Sequence, residues 1–349
     1  MSMLGKTLKS LSRSLVASLF ALASLMPGAQ VAMSHDTAAR PGADNPKVFK
    51  TVPNGTPTDR PGRGLQWLCI DEITQYNGGE APVMNETGAP WVHGLDVVVS
   101  EMPLVDGQVR WKSRFKTITT WTTRRFVGNG LPRHVTGEFP VQEGTDAYPY
   151  YNAAPVPAPY YTADKIPITT YKLDITVPRS PVYHNKPVCI SNLVSGVATQ
   201  TGSIWHANIA LGDNEWVDPI AALPPDECFG HPFDGQYHYH GWSWKCFPNQ
   251  GQTKQHSPLF GYALDGFGIY GPRGERGKPV TNADLDECHG HFGMVEWDGY
   301  KRYMYHYHLN NEYPYGPGCL KGRPIPLVND AMMKAFSIHK NEEGKPHVH

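Results

Sequence analysis

The chain has 349 residues, enough for one large domain or two ordinary ones, with 18% charged residues and a formal net charge of −1. It carries no basic surplus and no Lys/Arg cluster of the kind that marks a nucleic-acid or anionic-membrane partner. Its 35 glycines and 32 prolines exceed the average share and favour a loop-rich, β-leaning protein over long helices.

The first 34 residues place Lys6, Lys9 and Arg13 before an apolar run from Leu15 to Met26, followed by Pro27-Gly28 and small residues. That run is too short to span a bilayer and has the layout of a secretory signal, with cleavage expected after Ser34 or Ala32. Cleavage after Ser34 would expose His35, whose amine and imidazole could chelate copper. No later segment is apolar enough to anchor the chain, so an exported protein, periplasmic or secreted, is expected. Residues 35–64 are polar and rich in Pro and Gly and read as a flexible leader. Residues 65–190 read as an N-terminal β-rich part, separate from the next or continuous with it. They hold short β-branched and aromatic runs with turn signals at Asp106-Gly107 and Asn129-Gly130.

Residues 191–325 contain an internal repeat. A shift of 65 aligns SGVATQTGSIW (195–205) with FGYALDGFGIY (260–270), and a shift of 60 aligns DECFGH (226–231) with DECHGH (286–291). Asp234-Gly235 and Asp298-Gly299 then read as matching hairpin turns, each followed by Tyr-His-Tyr-His. The expected fold is mainly β, disulfide-stabilised and loop-rich, with a duplicated β unit in pseudo-two-fold arrangement. Residues 326–349 read as a polar tail.

Six cysteines follow the signal, and an even count in an exported chain reads as disulfides, with 15 pairings open. The repeat gives each copy one Cys in its Asp-Glu-Cys motif and one after its Tyr-His-Tyr-His strand. The simplest pairing is therefore Cys228–Cys246 and Cys288–Cys319, with Cys69–Cys189 left over.

On a strand, residues i and i+2 share a face, about 6–7 Å apart. His238 and His240 therefore point one way and Tyr237 and Tyr239 the other; His306 and His308 likewise oppose Tyr305 and Tyr307. Two imidazoles so placed can lean onto one ion, with His231 and His291 as the leading extra ligands. His289, Met304 and the acidic residues Asp226, Glu227, Asp286 and Glu287 lie nearby in the sequence. A single His-x-His strand is as readily a hydrogen-bonded polar face as a ligand pair. Two in a duplicated unit, each with its own Gly-His, favour a transition metal. Copper is the first choice on affinity for imidazole, over zinc or iron. The four strand histidines could converge on one ion, or each half could hold its own. The tyrosine face reads as core packing, and the acidic pairs serve equally as loop caps.

The motifs QYHYHG, SPLFGYALDGFGIYGP, LDECHGHFG and YMYHYHLNNEYPYGPGCLKG, with NGLPRHVTGEFP upstream, resemble the YHYH protein family from about Gly130 to Gly322. The resemblance implies a domain identity and an exported protein, and says little about activity. In one respect the halves differ: ALDGFGIYGP in the second copy faces ATQTGSIWHA in the first, which confines Asp265 to one half.

Three functions compete: an exported metal-binding protein, a secreted metalloenzyme (oxidoreductase or hydrolase) at the same histidines, and a non-metal extracellular scaffold or ligand-binding module. Against an enzyme, neither Gly-x-Ser-x-Gly nor His-Glu-x-x-His occurs.

Overall fold

Period-two alternation makes strands of both Tyr-His-Tyr-His stretches, and both faces of those strands are covered. Tyr237, Tyr239, Tyr305 and Tyr307 are buried on one side, and His238, His306 and His308 on the other. A strand buried on both faces ordinarily reads as a run of Val and Ile. Here aromatic rings fill the volume, and each polar tip has a partner.

The computed structural model describes residues 45–51, 57–58, 60–69, 89–152, 167–191, 193–208, 210–211, 216–233, 235–326, 338–340 and 346–348. The signal segment 1–34, His35, much of the leader and most of the tail lie outside them. Among the described residues no helix is long and apolar enough to cross a membrane.

Three strands, β1 (Val48–Lys50), β2 (Val92–His93) and β3 (Asp96–Val98), form a small sheet in the order β1-β3-β2. Part of the segment expected to be a flexible leader is thus built into the fold: Phe49 is fully buried against the rings of Phe229 and Tyr315. A second sheet joins β4 (Phe115–Thr119), β5 (Thr123–Gly128) and β6 (Leu173–Pro178) in that order. Its β4–β5 hairpin turns at Thr120–Thr122, where the Thr120 hydroxyl accepts the N–H groups of Thr122 and Thr123. The Asn129-Gly130 signal instead marks the chain leaving β5, with Gly130 at φ 71°.

The large sheet has eight strands: β7 (Val194–Ala198), β8 (Ser203–His206), β9 (Gly230–Phe233), β10 (Gln236–Tyr239), β11 (Leu259–Ala263), β12 (Gly268–Tyr270), β13 (Gly290–Trp297) and β14 (Tyr300–His308). Their spatial order is β9-β10-β8-β7-β11-β12-β14-β13. Read inward from either edge, the sequence of roles is the same: outer hairpin strand, Tyr-His strand, parallel neighbour, central strand. The outer hairpins agree rung for rung, and the parallel pairs differ by one. His231 opposes His238 as His291 opposes His306, and Ile204 lies beside His238 as Ile269 lies beside Tyr307, one rung along. Two copies of a four-stranded unit, meeting at the antiparallel β7–β11 pair, would give this order.

The outer hairpin of the second unit turns at Asp298 and Gly299, φ 50° and 81°, the pair of positive values that a two-residue type I′ turn demands. Arg124 of β5 pairs with Asp298 and lies over the rings of Tyr262 and Trp297 at 4.8 and 4.7 Å, so the second sheet is clamped onto the large one.

The three disulfides are those expected: Cys69–Cys189, Cys228–Cys246 and Cys288–Cys319. Within the polar tail, Ile338–Lys340 and Pro346–Val348 pair as two short antiparallel strands.

Candidate metal centre

The repeated Asp-Glu-Cys-x-Gly-His motif is a device for placing one histidine. Asp226 Oδ1 accepts the N–H groups of Cys228 and Gly230 at 2.9 and 3.2 Å, and Asp286 Oδ1 those of Cys288 and Gly290 at 2.9 and 3.1 Å. The same carboxylates accept the hydroxyls of Tyr237 and Tyr305. Glycine is needed next: a Cβ on Gly230 or Gly290 would lie 2.4 or 2.3 Å from the Tyr237 or Tyr305 hydroxyl oxygen. The following histidine, 231 or 291, is then delivered opposite 238 or 306. The acids are caps, as one of the two sequence readings had it. Glu227 and Glu287 point elsewhere, to Lys245 and Lys321.

The structure brings the six predicted histidines together as two separate sets, each joined by a histidine that the sequence reading missed. In the first set, His240 Nε2 lies 3.0 Å from both His238 Nε2 and His231 Nε2. His206 joins His238 and His240, its ring centroid 4.7 Å from that of the first and 5.5 Å from that of the second, and the donor atoms of these three lie within 4.8 Å of one another. It stands where the β8–β7 register shifts, an irregularity that re-aims a side chain. In the second set, the Nε2 atoms of His291, His306 and His308 form a triangle with edges of 3.2, 3.2 and 3.1 Å. His256 Nε2 is 3.1 Å from His306 Nε2, and the four donor atoms all lie within 4.8 Å of one another. The arrangement with all four strand histidines on one ion is not the one adopted: the halves hold separate clusters.

His206 and His256 escaped the sequence reading because neither is repeated. The shift of 65 that aligns the units puts Gly271 opposite His206, and His256 comes from the polar loop before β11. At Gly271 the second unit offers a carbonyl, which accepts from His308 Nδ1 at 2.7 Å.

The tautomers follow from such contacts. A carbonyl oxygen only accepts, so Nδ1 carries the proton in His308, in His306 (to Met304 O, 3.2 Å) and in His256 (to Ser257 O, 2.8 Å). In a neutral ring the Nε2 atom is then a bare lone pair. Burial, reinforced by neighbouring imidazoles, holds His306 and His308 well below the usual histidine range, and burial lowers His256 and His291 as well. The bare Nε2 lone pairs of His306 and His308, and of His306 and His256, face each other at 3.1 Å, repel one another and have no proton to share. Four imidazole nitrogens placed tetrahedrally on an ion at about 2.0 Å stand about 3.3 Å apart. The triangle has that scale, and its equal edges fit a tetrahedral face better than a square one.

In the first set the same reading holds for three of the four rings, while His231 Nδ1 is buried without a hydrogen-bond partner. His238 Nδ1 donates to Gln236 O at 2.9 Å and His206 Nδ1 to Ala207 O at 3.0 Å. His240 Nδ1 faces Asn208 Oδ1 at 3.2 Å, an orientation fixed by Asn208 Nδ2 donating to the Pro314 carbonyl. Burial pushes His238 down to about 4 and His206, His231 and His240 well below their ordinary value.

His289, one of the neighbours considered, joins neither set. It sits at φ 72°, at the position equivalent to Phe229 of the first unit (φ 56°), and burial pushes it down to about 3. Met304 lies on the histidine face of β14, and its carbonyl accepts from His306 Nδ1. His134, from the upstream NGLPRHVTGEFP motif, hydrogen-bonds the Tyr239 hydroxyl through Nε2. Tyr307, the equivalent of Tyr239, donates instead to Asp265 at 2.6 Å. The two halves thus satisfy equivalent phenols with different partners, and Asp265 serves packing. His134 also lies near Cys228 and Cys246, but those sulfurs are joined to each other and offer no thiolate.

Among known families, the one described as YHYH protein matches residues 175–279. That span takes in all four members of the first histidine set, and of the second set it holds His256 alone. No curated protein and no solved structure matches the chain.

Proposed function

We propose that this chain, a member of the YHYH protein family by its residues 175–279, is an exported transition-metal-binding protein with one centre in each half. His206, His231, His238 and His240 would hold one ion, and His256, His291, His306 and His308 the other. The observation that carries the reading is the triangle of His291, His306 and His308: three neutral imidazoles, two of them fully buried, with their Nε2 atoms 3.1–3.2 Å apart. A cation at the centre of the triangle relieves the repulsion between the facing His306 and His308 lone pairs.

Copper leads on intrinsic affinity for imidazole. The equal edges of the triangle favour a tetrahedral ion and make zinc the direct competitor. Export is supported by three disulfides and by a signal-like N-terminus. A metalloenzyme at the same residues is the second reading, supported by the partial exposure of His256 and His291.

The test is elemental analysis of protein purified from its exported compartment, beside the double variant His238→Ala with His306→Ala. Two ions per chain, absent from a folded double variant, are expected. Wild-type metal content in that folded variant would falsify the proposal.

A further inference from the structure

Resting on that reading, we infer that the two centres are unequal. The one at His256, His291, His306 and His308 exchanges its ion with chelating ligands from solvent, and the one at His206, His231, His238 and His240 keeps its ion as part of the core.

Exposure is the first ground. All four histidines of the first set are buried, the most open being His231 at 9%, whereas His256 and His291 are partly exposed. The ligand supply is the second. His206 belongs to β8, inside the sheet, and can leave only by breaking strand pairing. His256 ends a polar loop in which Gly251, Gln252, Lys254 and Gln255 are exposed. That loop can withdraw one imidazole while the sheet stays whole. Local openings of this kind cost far less than global unfolding.

A third ground is one rung of the outer hairpins. Phe233 opposes Gln236 in the first unit, and Gly293 opposes Met304 at the equivalent rung of the second. A Cβ built on Gly293 would lie 3.1 Å from His306 Cε1 and 3.8 Å from His291 Nε2, so this position aims at the histidines. The second unit places no side chain there, and the first places a phenyl group two residues from His231 on the same face. A hollow beside the first set, against His231 and His240, is about the size of a single water. Its other walls are Pro219, Ile220, Leu223 and Pro225, which a charged chelator does not enter.

Exchange needs no redox step. Each metal–imidazole bond is replaced by a bond to a donor atom of the incoming chelator, and the imidazole is left neutral.

The experiment loads the full chain with two equivalents of zinc, adds excess EDTA, and follows zinc release with time. One equivalent is expected to leave at least tenfold faster than the other. His256→Ala is expected to abolish the fast phase and leave the slow one, and Phe233→Ala to accelerate the slow phase alone. Release of both equivalents at a single rate overturns the inequality, as does a fast phase that survives in His256→Ala. A wild-type chain that takes up no zinc or copper overturns the metal reading as a whole, a result distinct from equal rates.

Discussion

The Tyr237 hydroxyl donates to Asp226 Oδ2 at 2.8 Å, inside a core where both residues are buried. Burial pushes the Asp226 carboxyl up to about 6, and the phenol is among the groups that offset this. Removing it leaves a buried carboxylate short of a donor, which costs about 1–3 kcal/mol. Tyr237→Phe should therefore lose about that much stability in denaturant unfolding with little change in far-UV signal. A stability equal to wild type would show that the pair is incidental.

His206→Ala and His256→Ala test the two histidines absent from the repeat. Loss of even an outer partner of a metal ligand costs about 10–100-fold in affinity, and loss of a ligand should cost at least as much. Each variant should weaken one ion and spare the other in a competitive zinc titration. An unchanged titration in both would limit the centres to the strand and Gly-His residues.

Proton release on metal loading reads the burial directly. At pH 6, four histidines with ordinary values near 6.5 would carry about three protons and release them on loading. The first set lies well below that range, His238 at about 4, so its rings are already neutral at pH 6. Calorimetry of zinc binding at pH 6, in buffers of different ionisation enthalpy, should find fewer than one proton released at that centre. About three would mean solvated histidines.

Asp218 gives a pH signature away from both histidine sets. It caps a short helix by accepting the Ile220 N–H, and its other oxygen accepts the hydroxyls of Thr51 and Tyr315. Burial pushes its carboxyl up to about 6, above an unfolded value near 3.9. The folded chain therefore holds a proton that the unfolded chain releases between those values. This contribution to stability is full below about pH 4 and is lost as pH rises through 6. Asp218→Asn should match wild type near pH 4 and gain on it up to pH 7, by about 3 kcal/mol at most. A difference that stays flat with pH would count against the buried acid.

The Cys288–Cys319 bond closes 31 residues that include β13, β14 and three of the second set's histidines. A loop of that length is worth about 3–4 kcal/mol in the chain-entropy account. The double Ser variant should melt earlier by a corresponding amount and bind the second ion less tightly.

Much of this was legible in the sequence because it is local. Alternation along four residues placed the histidines on one face and the tyrosines on the other whatever the strand's neighbours. Two cysteines per repeated unit made the pairing of Cys228 with Cys246, and of Cys288 with Cys319, the simplest closure. The Asp-Gly turns carried their own backbone requirement, seen at Asp298 and Gly299. What the chain could not reveal by itself was which distant segment arrives beside each His-x-His. His206 reaches its set because β8 runs parallel to β10, and His256 because a loop crosses to β14. The choice of two centres over one was likewise made by the strand order, which puts β10 and β14 in opposite halves of the sheet with four strands between them. Pattern within a strand follows from backbone geometry alone, whereas the company a side chain keeps is set by non-local pairing that only the folded sheet decides.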